Sequence, residues 1–89
     1  SQGIAERVWG DALAARGTYL ESDAHMERSI SVLESGGLAM QAARTRLRWA
    51  VQLRKQGDRA RGDALHREAC EKFDGFGCEY ASAEAMRSA

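Results

Sequence analysis

The sequence predicts an all-α fold in which antiparallel helical hairpins stack side by side. Three observations carry this. The chain repeats at a constant offset of 40 residues: Trp9 recurs as Trp49, Leu13 as Leu53, Gly17 as Gly57, Ala24 as Ala64 and Gly37 as Gly77. A fixed period of this size marks supersecondary units that bury their apolar faces only against one another. The 89 residues include no proline and are rich in alanine, a composition that suits helices. Most of the nine glycines fall between the periodic stretches, where short turns belong.

The elements follow in order. The first helix is expected from about Ile4 to Arg16, with Ala5, Val8, Trp9, Ala12 and Leu13 along one stripe and Gly17 as its end. The leading Ser-Gln-Gly is given no structural role. The second helix begins near Glu21 or Ser22 and carries Met26, Ser29, Ile30 and Leu33 to the break at Gly36-Gly37. The third, from Leu38 to about Gln56, is the longest, with Leu38, Ala42, Trp49 and Leu53 on one side. Asp58 is placed as the N-cap of a fourth helix that carries Ala64, Leu65, Ala69, Cys70 and Phe73 to a Gly75-Phe76-Gly77 turn. A fifth helix, 78–88, covers the last hairpin. The hairpins thus span about 4–36 and 38–75. Small residues at matching places (Gly10 and Ala50, Ser22 and Gly62, Ser29 and Ala69) let paired helices approach closely. Both tryptophans are expected in the core, because they recur at the same slot.

Composition narrows the function. Thirteen basic residues balance thirteen acidic ones, so no global field draws the chain to nucleic acid. The charges are segregated: Arg44, Arg46, Arg48, Arg54, Lys55, Arg59 and Arg61 face Asp58 alone, and the stretch from Asp63 to Glu84 is acidic. No signal peptide or membrane span is visible, and a cytoplasmic location is expected. Cys70 and Cys78 are read as reduced thiols, Cys70 buried in the place of Ile30, with a bridge across a helix end as the alternative. His25 and His66 are read as lacking a cysteine, aspartate or second histidine at ligand spacing, so neither metal nor cofactor is expected. The glycine turns follow no strand and do not match a phosphate loop, and no nucleophile stands at a readable distance from a base. An enzyme is not expected.

The slots Trp9-Gly10-x2-Leu13 and Trp49-Ala50-x2-Leu53, with Ser22, Ser29, Gly62 and Ala69 at the small positions of the second helices, resemble tetratricopeptide repeats. The units lack the closing proline, and their period exceeds the usual 34. In this they are similar to the C-terminal repeat regions of bacterial adenylate cyclases and LuxR- or MalT-type ATPase regulators. Ala43-Arg44-Thr45-Arg46-Leu47, Gly57-Asp58, Glu68-Ala69, Phe73 and Gly77 echo the phrases of those regions. The resemblance implies a short right-handed solenoid with a C-terminal capping helix, part of a longer bacterial regulatory protein. It implies a protein-interaction module whose partners are a protein, a peptide or neighbouring domains of the same chain.

In such hairpins the first helix of each unit lines the concave groove. The residues in those slots are Arg7, Asp11, Arg44, Leu47, Arg48, Val51, Arg54 and Lys55. Arg44, Arg48 and Lys55 lie within about 40° of one another around a helix. A groove walled by these cations favours an acidic peptide or a C-terminal carboxylate. This is similar to the carboxylate clamp of chaperone-binding tetratricopeptide domains, although the asparagines of such clamps are absent here. The alternative is a solvated helix face. Arg46, on the core side, is expected to pair with a local acid such as Glu6 or to stack on a tryptophan. A second function class remains open, a structural segment that self-associates into a homodimer through the exposed ends of the stack.

Overall fold

The computed structural model describes residues 1–73 and 75–87, Gly75 and Phe76 as backbone only. Among the described residues the chain forms five α-helices and no strand: α1 (Gln2–Ala15), α2 (Tyr19–Ser35), α3 (Ala39–Gln56), α4 (Arg59–Cys70) and α5 (Gly75–Arg87). The expected 78–88 helix is thus met up to Arg87, and Ser88 lies outside the described residues.

One local device ends the first three helices. Gly17, Gly37 and Gly57 adopt φ of 81°, 76° and 93°, a left-handed backbone that a side chain would strain. Each glycine N–H donates to the carbonyl three residues back: Ala14, Glu34 and Arg54. The next N–H reaches a leucine carbonyl five residues back: Thr18 to Leu13 (2.9 Å), Leu38 to Leu33 (2.8 Å) and Asp58 to Leu53 (2.9 Å). This is the Schellman pattern, and all three of those leucines are buried. At the starts, Ser1 Oγ accepts from the Ile4 N–H and Asp58 Oδ1 from the Arg61 N–H. The leading residues therefore do have a role: Ser1 caps α1, and Gly3 lies against Leu33.

The fourth turn departs from this scheme. α4 stops at Cys70, the chain turns over 71–73, and α5 has begun by Gly75. The expected Gly75-Phe76-Gly77 turn is therefore replaced by the first turn of α5. Lys72 and Phe73 donate to the carbonyls of Ala69 and Cys70, closing the tight turn earlier than the repeat would place it.

Consecutive helices are antiparallel. The start of α1 meets the end of α2, with Ser29 Oγ donating to the Gly3 carbonyl at 2.6 Å. Midway, Ser22 Oγ donates to the Gly10 carbonyl at 2.7 Å. The repeat-equivalent crossing of α3 and α4 brings Gly62 against the Ala50 carbonyl, where an added Cβ would sit 3.1 Å from that oxygen. The small-residue expectation is met for the same reason in both hairpins. α3 is the hub: it packs on α1, α2, α4 and α5. One apolar cluster joins Met26, Trp49 and Leu53, flanked by Ile30 and Leu65. A second joins Ala43, Leu47, Ala69, Ala81 and Ala85, flanked by Val51 and Phe73, and so seats α5 on the second hairpin. Between α2 and α3, Ser29 also accepts from the Thr45 hydroxyl at 2.9 Å, which satisfies both buried groups.

The two tryptophans have different fates. Trp49 is 5 % exposed; its indole N–H donates to Asp23 at 2.9 Å and the Arg61 guanidinium lies 5.5 Å from its ring centre. Trp9, expected in the core, is 60 % exposed. It stacks on the ring of His25 (centres 5.1 Å apart, planes 9° apart), while Leu65, the repeat-equivalent of His25, packs in the Trp49 cluster. The physical reason is coverage. α3 lies between α2 and α4, whereas the outer face of Trp9 has no helix against it.

Candidate functional site

α1, α3 and α5 lie alongside one another, and the cleft between them has a volume of about 380 Å³. It is lined by Ile4, Arg7, Val8 and Asp11 from α1, Arg44 and Arg48 from α3, and Ala81, Glu84 and Ala85 from α5. The size falls within the range of sites that hold a few residues of a peptide or a small molecule.

Each cation there is held differently. Arg48 is spent within the protein. Its Nε and Nη2 donate to Asp11 Oδ2 at 3.0 and 2.7 Å, and its Nη1 donates to the Ala85 carbonyl at 2.7 Å. That one guanidinium therefore ties α1, α3 and α5 together. Arg7 donates from Nη2 to Gln41 Oε1 at 3.1 Å, and its buried Nε has no hydrogen-bond partner. Burial holds its ionisation below the usual guanidinium value; Asp11 opposes this, and the nearby Arg44 and Arg48 charges add to it. Arg44, half-buried on the cleft wall, forms no ion pair or hydrogen bond among the described residues. Three guanidiniums thus share the cleft with the carboxylates of Asp11 and Glu84, and Asp11 is engaged by Arg48.

Of the residues expected to line the groove, the structure brings Arg7, Asp11, Arg44 and Arg48 to the cleft. The others lie elsewhere. Leu47 is buried in the second apolar cluster, and Val51 packs against it, because α5 covers that part of α3. Arg54 turns to α4 and pairs with Asp63 at 3.0 Å. Lys55 is exposed outside the cleft. The residues missed from the sequence are Ile4, Val8, Ala81, Glu84 and Ala85. Ile4 and Val8 were legible as positions one turn apart on the α1 face that carries Arg7 and Asp11.

Arg46 pairs with acids, as expected in kind, but these are Glu34 (3.1 Å) and Glu68 (3.4 Å). Glu6 instead bonds His25 and lies 3.6 Å from Arg28. The His25 hydrogen bond, and then the Arg28 charge, hold the Glu6 carboxyl below its ordinary value.

A second constellation lies at the junction of α4 and α5. Cys70 and Cys78 are joined as a disulfide, with Cα atoms 5.2 Å apart, which corrects the reading of two reduced thiols. Cys70 is half-buried rather than buried. His66 Nε2 lies 3.4 Å from Cys70 Sγ, so the statement that neither histidine has a cysteine at ligand spacing is also corrected: positions 66 and 70 share a helix face. Burial, with the Arg54 charge behind it, holds His66 below the usual imidazole value, and Asp63 opposes this.

Among the described residues no helix is long and apolar enough to cross a membrane. Compared with protein-family models, curated proteins and solved structures, the chain finds no significant match.

Proposed function

We propose that this chain is a tetratricopeptide-like interaction module whose α1–α3–α5 cleft takes an acidic or carboxylate-bearing segment of a partner protein or of a neighbouring domain. The observation that carries the reading is Arg44, a guanidinium on the wall of a cleft with no acidic partner among the described residues, next to Arg7 and Arg48. Ile4 and Val8, on the α1 face that also carries Arg7, supply aliphatic lining suited to the stem of a side chain or a peptide backbone. The packing of α3 against both α1 and α5, with α2 and α4 paired to α1 and α3, supports stacked hairpins; the right-handed solenoid is what the tetratricopeptide resemblance implies. The parent that the repeat phrases imply is a larger bacterial cytoplasmic regulator.

The test is fluorescence anisotropy with a labelled hexaglutamate peptide carrying a free C-terminal carboxylate. R44E is the cleaner variant, because Arg44 forms no ion pair or hydrogen bond among the described residues; R48E would break the Asp11 pair as well. R44E is expected to weaken binding more than tenfold with an unchanged circular dichroism spectrum, and added salt is expected to weaken wild-type binding. Equal affinity for R44E and wild type refutes the reading.

A specific observation favours a second reading, self-association. Val8, Trp9, Leu20, Tyr80 and Met86 are each at least 60 % exposed. Light scattering over a hundredfold concentration range distinguishes the two; a monomer throughout removes self-association.

A further inference from the structure

Away from the cleft, the fold collects three soft ligand groups at one point. His66 and Cys70 stand four residues apart on α4, and Cys78 lies in the first turns of α5. The imidazole nitrogen and the two sulfurs all lie within 4.8 Å of one another, and all three residues are half-buried. Joining α4 to α5 requires only the two sulfurs. The imidazole held 3.4 Å from Cys70 Sγ is a further group, and it matches what a metal site needs.

The distances fit zinc. With Zn–S about 2.3 Å and Zn–N about 2.0–2.1 Å, a tetrahedral site separates nitrogen from sulfur by about 3.6 Å and the two sulfurs by about 3.8 Å. The Nε2–Sγ edge is already near that length. Cα atoms 5.2 Å apart let the sulfurs open to the required spacing by rotation about Cα–Cβ, without moving either helix. Two thiolates and an imidazole select zinc over the oxygen-seeking magnesium and calcium. The charges that act on His66, Arg54 and Asp63, are paired with each other at 3.0 Å, so the surroundings oppose a bound cation little.

We propose that the reduced chain binds one Zn2+ through His66, Cys70 and Cys78, and that oxidation to the Cys70–Cys78 disulfide releases it. The electrons balance through a dithiol of the cell or, in the assay, through a phosphine, which with water becomes the phosphine oxide as the S–S bond is reduced to two thiols. Such a dithiol gives two electrons and two protons to the protein disulfide, the S–S bond breaks, and the dithiol becomes a disulfide. Zn2+ then displaces the two thiol protons to solvent and forms two Zn–S bonds and one Zn–N bond from the Nε2 lone pair. In reverse, a disulfide oxidant takes up two electrons, and zinc leaves with its charge unchanged. Three protein ligands leave a fourth position for water or an incoming donor. In a reducing compartment the thiol form prevails, and the site is then competent to bind.

The experiment uses the full chain reduced with a phosphine under anaerobic conditions, titrated with Co2+ as a spectroscopic probe and then with Zn2+. One Co2+ per chain is expected, with the visible bands of a tetrahedral site and sulfur-to-cobalt charge transfer, displaced stoichiometrically by Zn2+. H66Q and C78S are each expected to weaken Co2+ binding more than about tenfold. The oxidised chain is expected to show no such bands. H66Q keeps both cysteines, so its circular dichroism spectrum and disulfide formation verify that it folds. The proposal is overturned if reduced wild type gives no cobalt–thiolate bands, if H66Q binds as wild type does, or if the oxidised chain binds equally well.

Discussion

Replacing Asp11 by asparagine tests how the cleft is held together. The Asp11 carboxylate takes two hydrogen bonds from Arg48 and a longer one, 3.4 Å, from Gln52 Nε2. The side chains of Arg48 and Asp11 are 12 % and 21 % exposed, so the pair lies between the surface and interior cases. Exposed pairs contribute about 0–1 kcal/mol, whereas breaking a fully buried pair costs about 3–5 kcal/mol. The Ala85 carbonyl still holds Arg48 in the variant, which limits the loss. The expected cost is about 2 kcal/mol, which in a domain this small lowers Tm by roughly 8–16 °C. Thermal unfolding followed by circular dichroism measures it, and a double-mutant cycle with R48M is expected to return a coupling of about 1–2 kcal/mol. D11N also removes the internal competitor for Arg48, so its affinity for the hexaglutamate peptide is expected to rise below the melting range. A Tm shift under about 2 °C with coupling near zero would refute the reasoning, and would mean that α5 alone positions Arg48.

Three further outcomes are expected. G57A has open space around the new methyl, so its cost is backbone strain alone, about 1–2 kcal/mol in a urea titration; no loss would contradict the left-handed assignment at φ 93°. Glu6 has a folded value below its ordinary 4.5, so its contribution is present above pH 4.5 and is lost as pH falls through the folded value. E6Q should therefore flatten the acid limb of the stability profile below pH 4.5, and a parallel limb would exclude the His25 bond as its cause. Reducing the disulfide, which closes a loop with a sequence separation of 8, should lower stability by about 2–3 kcal/mol on the chain-entropy estimate; an unchanged urea midpoint would show that α5 stays docked without it.

What was legible in the sequence is what a residue decides locally. Gly17, Gly37 and Gly57 announced their turns because a left-handed backbone excludes other residues by sterics alone. The helix pairings followed from small residues, since Gly10 and Gly62 admit a neighbouring helix whatever lies beyond it. Burial was less legible. Trp9 and Trp49 are the same residue at the same repeat slot, and only the helices stacked outside them separate 60 % exposure from 5 %. The Arg44 and Arg48 side chains share a helix face one turn apart. Asp11, 37 residues from Arg48 in sequence, decides that one is spent and the other is available. The His66–Cys70 spacing was readable, but the arrival of Cys78 depended on α5 starting before Gly77 rather than after it.

The repeat is kept at some positions and broken at others. At the offset of 40, several core positions keep their character: Leu13 matches Leu53, Gly10 matches Ala50, and the Ser29–Gly3 crossing becomes Ala69 with Ala43. The four α1 residues that line the cleft do the opposite. Ile4 matches Arg44, Val8 matches Arg48, Arg7 matches Leu47 and Asp11 matches Val51, so polarity inverts at every one. Packing holds the core positions fixed, because a changed volume there costs several kcal/mol. Inversion at these four slots leaves Ile4, Val8, Arg44 and Arg48 in the cleft beside Arg7 and Asp11, while Leu47 and Val51 pack under α5. Aliphatic and cationic side chains in one cleft are what the proposed carboxylate-bearing segment would meet.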